Sequence, residues 1–185
     1  MNAIYFIIAC MMLFIGLIMY FYRKPIINIY PNEEHTIRGP AFGKVMNIMH
    51  MENDTLFIAI FLNVNDIHYQ TNPVNGYVKN ITYDHTGKFE LAYEETKSRM
   101  NEKMITTYQT RYGNLMMYQI AGFMVRRIKT YLTPNQYATK GDMAGLIFMG
   151  SRVDLIIPQS SHFKLFIKEN DRINGSDTII GEYIH

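Results

Sequence analysis

The chain reads as a mainly β (α+β) protein: one β-rich domain with minor helices behind a single N-terminal transmembrane helix. Three observations predict it. Past residue 22 the apolar residues fall in short runs of about four to eight, punctuated by Gly, Pro, Asn and Asp, which is strand-and-turn patterning. Few segments there sustain a helical period. Before them, residues 3–22 carry no charged side chain. At 185 residues there is room for one domain with a real core plus appendages. The net charge of +2 is too mild for a nucleic-acid partner. A single cysteine, Cys10, excludes an intramolecular disulfide and a zinc–cysteine cluster.

Residues 3–22 are long enough, at about 1.5 Å per residue, to cross a hydrocarbon core of about 30 Å. Tyr20 and Tyr22 suit an interfacial belt, and Arg23-Lys24 follow directly, so the main domain is expected on the cytoplasmic side. A buried core helix and a cleaved signal peptide are the alternatives. The basic leader region and small-residue cleavage site of a signal peptide are absent. This gives an anchor over residues 1–24, an extended connector over 25–42 with two prolines in its polar stretch before Ala41, and a domain over 43–185. Strands are expected at 43–50 and 55–62 around the polar turn 52–54. Residues 88–94 read as a strand and 95–103 as a short helical turn. A hairpin at 104–110 and 114–121 turns at Arg111-Tyr112-Gly113. Two further apolar runs, 146–149 and 153–157, are expected to meet at a turn through Gly150-Ser151-Arg152. Two final strands flank 169–177, with turns at Asn170-Asp171 and Asn174-Gly175.

Among six histidines, His68 has the most suggestive setting, two residues after Asp66 and five before Pro73. An imidazole exchanges protons near neutral pH without special tuning, although a hydrogen-bonded structural histidine fits the same pattern. Arg126 and Arg127, adjacent in an expected strand, would point to opposite faces, so at most one reaches a common site. Surface solubility accounts for both equally well.

Taken together, these segments resemble the short, membrane-associated phosphatidylserine decarboxylases. The string Gly150-Ser151-Arg152-Val153-Asp154 is similar to that family's self-cleavage point. Phe21-Tyr22-Arg23-Lys24-Pro25 and Gly39-Pro40-Ala41-Phe42-Gly43-Lys44-Val45 are similar to its segments after the anchor. Asp66, His68, Pro73, Gly76 and Val78 fall on its Asp-x-His motif and the strand beyond. Gln119-Ile120-Ala121-Gly122 and Arg126-Arg127-Ile128 match further on. Ser98, Asn101 and Glu102 also match, with Lys103 in place of an arginine. Gln70-Thr71 replace an Asn-Arg pair, and Phe42 stands where the family has an aspartate that supports self-cleavage.

The resemblance implies that Ser151 Oγ attacks the Gly150 carbonyl and that the chain is cut between them. Residues 1–150 and 151–185 would stay paired, and Ser151 would become a pyruvoyl group, the only cofactor. That carbonyl would serve as electron sink for decarboxylating phosphatidylserine to phosphatidylethanolamine, with His68 returning the proton and no metal involved. Asp66 or Asp154 would stand in for the missing carboxylate, and Arg126, Arg127 or Arg152 would pair with the anionic headgroup. Two other readings use the same residues: a membrane-tethered, decarboxylase-like pseudoenzyme that binds lipid or a partner uncut, and an unrelated β-rich interaction domain whose Gly150-Ser151 is only a turn.

Overall fold

The structure, a computed structural model, describes residues 2–52, 54–85, 87, 100–122, 127–148, 151–158 and 162–184. It is β-rich, with one helix, α1 (Asn2–Phe21), at its start. From Ala3 to Phe21 that helix is long and apolar enough to cross a membrane, and almost all of its side chains are exposed. The strands follow in order: β1 (Thr36–Arg38), β2 (Phe42–Met51), β3 (Thr55–Leu62), β4 (Tyr69–Thr71), β5 (Gly76–Asp84), β6 (Lys103–Thr110), β7 (Gly113–Ile120), β8 (Ile128–Thr130), β9 (Tyr137–Ala138), β10 (Met143–Ile147), β11 (Ser151–Pro158), β12 (Phe163–Leu165), β13 (Arg172–Asn174) and β14 (Ile179–Tyr183). A 3₁₀ turn occupies Gly175–Asp177.

One eight-stranded sheet runs β13-β2-β3-β11-β7-β6-β5-β9, and two three-stranded sheets run β1-β14-β12 and β4-β10-β8. β11 lies between β3 and β7, antiparallel to both. β3 and β11 are buried along nearly their whole length, and β3 accordingly reads as a near-continuous apolar run, whereas β11 carries Arg152 and Asp154 among its apolar residues. By contrast, the start of β5 alternates buried and exposed residues, as a strand with one solvated face does. Leu56, Ile58, Ile60 and Leu62 of β3 meet Val153, Leu155 and Ile157 of β11 and Leu115 and Met117 of β7 in the core. The parity of these positions defines an inner face and an outer face for the large sheet.

Several expectations need correction. The runs before and after Gly150-Ser151 do not pair with each other: β10 pairs with β4 and β8, whereas β11 pairs with β3 and β7. Ser151 therefore opens a central strand instead of sitting in a turn, because its neighbours Val153 to Ile157 are claimed by a different sheet from Leu146 and Ile147. Arg127 precedes β8 and is not in a strand. Between the last two strands, Arg172–Asn174 adds a third that pairs with β2. The β6–β7 hairpin forms as expected, with Thr110 opposite Gly113. The expected strand at 88–94 and most of the turn at 95–103 lie outside the described residues, as do Ser98, Arg126 and Gly150.

Candidate active site

Chain geometry brings His68 and Ser151 toward one place from two directions. Leu62, the last residue of β3, pairs with Ser151, the first of β11. Residues 63–68 then lead from Leu62 to His68. On the other side, the Ile147 amide donates to the His68 carbonyl at 3.1 Å. Ser151 follows Ile147 by four residues, a reach of about 14 Å at most. By strand parity Ser151 shares the inner face with Val153, Leu155 and Ile157.

Both side chains are fully buried. Ser151 Oγ and His68 Nε2 have no hydrogen-bond partner among the described residues. Such orphans are unusual, because buried polar atoms are nearly always satisfied. The other imidazole nitrogen is occupied: His68 Nδ1 lies 2.9 Å from the Asp66 carbonyl oxygen. A carbonyl only accepts, so Nδ1 carries the proton and Nε2 presents a lone pair. Burial lowers the His68 pKa below the usual 6.5, with a smaller push from the Arg23 cation. The hydrogen bond to the Asp66 carbonyl and the Asp66 charge oppose it. His68 is therefore a neutral imidazole with its basic nitrogen facing inward.

Asp66 meets this histidine through its backbone. The 63–68 segment is not a strand, so Asp66 and His68 do not share a strand face. The Asp66 carboxylate accepts from the Asn63 amide at 2.8 Å and is ion-paired with Arg172. Asp154 and Arg152 lie on the opposite face of β11 from Ser151, and they pair with each other at 2.8 Å. Arg152 is fully buried there. Neither is placed to serve Ser151, because neighbouring positions in a strand point to opposite faces. Phe42 packs against Gly175: a Cβ on that glycine would come within 2.5 Å of the Phe42 ring.

Toward the anchor, the Phe21 ring lies 4.4 Å from the His68 ring, and Tyr22 meets Phe148 at 5.5 Å. Arg23 donates to the carbonyls of Tyr20 and Asn65, each at 2.7 Å. A groove of about 430 Å³ opens between the end of α1 and the 63–68 loop, lined by Phe14, Leu17, Ile18, Phe21 and Val64 among others. Exposed Arg127 stands beside Phe148, whose amide donates to its carbonyl at 3.0 Å.

Two buried amides complete the surroundings. Gln70 Nε2 donates to the His68 carbonyl at 2.6 Å, and Gln119 Nε2 donates to Gln70 Oε1 at 2.8 Å. Sequence reading gave neither a role. A hint was available for Gln119, since it shares the parity of apolar Leu115 and Met117 in the same strand. Phe21 and Arg172 were also missed as neighbours of the histidine loop, and no local pattern marks them.

The sequence model of the phosphatidylserine decarboxylase family matches residues 14–181. The phosphatidylserine decarboxylase proenzyme of Cytophaga hutchinsonii is 36% identical over 173 residues, covering 90% of this chain and 77% of the relative. That of Chlorobaculum tepidum is 32% identical over 169 residues, covering 89% and 76%. A putative archaetidylserine decarboxylase proenzyme of Methanococcoides burtonii is 32% identical over 149 residues, covering 80% and 67%. With this coverage around the histidine, the serine and the sheet that joins them, the chain belongs to the phosphatidylserine decarboxylase family.

Proposed function

We propose that this chain cuts itself between Gly150 and Ser151 and then decarboxylates phosphatidylserine, or a lipid with the same phosphoserine headgroup. The observation that carries the reading is the pair of buried, unpartnered atoms, Ser151 Oγ and His68 Nε2. In the first step Oγ attacks the Gly150 carbonyl carbon while His68 Nε2 takes the hydroxyl proton. The carbon–nitrogen bond breaks, the proton passes to the departing nitrogen, and an ester replaces the peptide. Removal of the Ser151 Cα proton then expels the Gly150 carboxylate. Water converts the remaining unsaturated residue to a pyruvoyl group and ammonia.

The full burial of Ser151 on the inner face of β11 suits such a group. The pyruvoyl carbonyl would take the substrate amine and draw electrons from the bond to the departing carboxylate. His68 Nε2 takes up a proton from solvent and delivers it to the carbon that loses carbon dioxide. Exposed Arg127 is suited to the headgroup phosphate, and Arg126 remains its alternative. The apolar groove beside α1 admits the lipid from the bilayer, with Phe21 joining it to His68. Arg23 and Lys24 at the end of the span favour the cytoplasmic side for the domain.

Denaturing electrophoresis with mass spectrometry of the full-length protein tests this. The expected result is a fragment of residues 151–185 with a blocked amino terminus, and an intact chain in Ser151→Ala. A wild-type chain that stays whole while releasing carbon dioxide from phosphatidylserine overturns it.

A further inference from the structure

The buried amides behind His68 form a line with a fixed direction. Its far end is a carbonyl, that of His68, which only accepts. Gln70 must therefore present its NH₂ there and its oxygen to Gln119, and Gln119 must answer with its own NH₂. This leaves Gln119 Oε1 as an acceptor, and it has no hydrogen-bond partner among the described residues. Both glutamines are fully buried.

The line crosses between two sheets. Gln119 is on β7 of the large sheet, opposite Val153, one inner-face position along from Ser151. Gln70 is on β4 of a small sheet, opposite Gly145 of β10. A Cβ on Gly145 would come within 2.8 Å of Gln119 Nε2, so the bare glycine lets the amide pass. The His68 carbonyl takes a second bond from Ile147 of β10. His68 lies in no strand of its own. Its main chain is held by the small sheet, and the small sheet is tied to the serine-bearing sheet through Gln119. A leucine would fill the same space without leaving an acceptor unsatisfied, so packing alone does not account for an amide here.

The geometry points to Gln119 as a positioning residue: acting through Gln70, it sets the His68 imidazole against Ser151 for self-cleavage. This rests on the self-cleavage reading above. A misplacement of about 1 Å at a reacting pair can cost about 10²-fold in rate, so loss of the link should be visible in a processing assay.

The test times self-cleavage of full-length protein, freshly translated into phospholipid vesicles, for wild type, Gln119→Leu, Gln70→Leu, the double variant and Gln119→Glu. Each leucine variant is expected to process at least about tenfold more slowly, and the double variant no more slowly than the worse single one, because both break the same line. Gln119→Glu keeps the shape. Its ionised carboxylate cannot donate to Gln70, whereas its protonated form can. Its rate relative to wild type should therefore be lowest near about pH 8 and recover as the pH falls toward about 6.

Multiplying losses in the double variant, or a Gln119→Glu ratio that does not change with pH, overturns the assignment. The glutamate variant serves alone if the leucine variants do not fold. Wild type that cuts itself alongside a Gln119→Leu variant cutting at the same rate overturns the positioning role and leaves the self-cleavage reading standing. Wild type that never cuts overturns both.

Discussion

At the scale of single residues, Phe42 carries no carboxylate, so some other group has to fix which nitrogen of an imidazole base is free. In this chain the Asp66 carbonyl does that for His68, from 2.9 Å and without a charge. Burial then holds the imidazole neutral. The two effects together predict a pH profile. His68 binds its proton less readily in the fold than in the unfolded chain, so Nε2 stays available as the pH drops through 6.5 and is lost only below that. Self-cleavage should hold a steady rate from about pH 8 through 6.5 and decline at more acidic values, read by timed electrophoresis. Stability follows the same direction. It is full above 6.5 and declines as the pH falls toward the depressed folded value, because the unfolded chain takes up the proton first. A profile already declining above 6.5 counts against a buried, neutral His68. Phe42 carries a second consequence. Its ring lies where a Cβ on Gly175 would be, and Gly175 has φ +56°. Gly175→Ala should cost about 1–3 kcal/mol in a thermal melt, from ring displacement and left-handed strain together.

At the scale of elements, the loop carrying Asp66 is clamped from far away. Arg172 of β13 holds the Asp66 carboxylate across 106 residues of sequence, and Asn63 closes the loop locally. Removing the arginine leaves a buried carboxylate with one amide donor. Because Arg172 is 56% exposed, water already screens part of the pair, and the expected cost of Arg172→Ala is about 1–2 kcal/mol. The sharper readout is local: hydrogen exchange at the amides of Asn63 and Asp66 should speed up while that of β3 and β11 does not. This pairing also shows why the site was only partly legible in sequence. The β6–β7 hairpin and β2–β3 were readable because alternation and turn residues are local signals. The face on which Ser151 lies was not, since the run before it and the run after it join different sheets. Asp154, two residues past Arg152, looked available to Ser151 until strand parity turned both away from it. The Gln70–Gln119 contact crosses between sheets, and Asp66 is taken by a partner at the other end of the chain. Neither leaves a local periodic trace.

At the scale of the whole molecule, the apolar helix α1 and the interior meet at Phe21. This is the last residue of α1, it is buried, and its ring covers His68. The connector that follows is fastened to the domain. Asn28 donates to Asp177 at 2.7 Å, and Lys140 donates to Thr36 at 2.7 Å and to the Glu33 carbonyl. Arg38 holds the Glu33 carboxylate, whose pKa its hydrogen bond draws down to about 2. Strand β1 within this connector pairs with β14 and places Ile37 in the core. The helix end is thereby held at a fixed position over the histidine. The helix thus reaches the imidazole, because its last ring packs against His68 and shields it. Phe21→Ala should admit water, relieve the desolvation that depresses the His68 pKa, and move the acid limb of the self-cleavage profile upward toward 6.5. Leu17→Ala widens the same groove without uncovering His68 and should leave that limb in place. Timed processing of both variants between about pH 5 and 8 separates the two effects. Coincident acid limbs in Phe21→Ala and wild type would mean that something other than Phe21 shields His68.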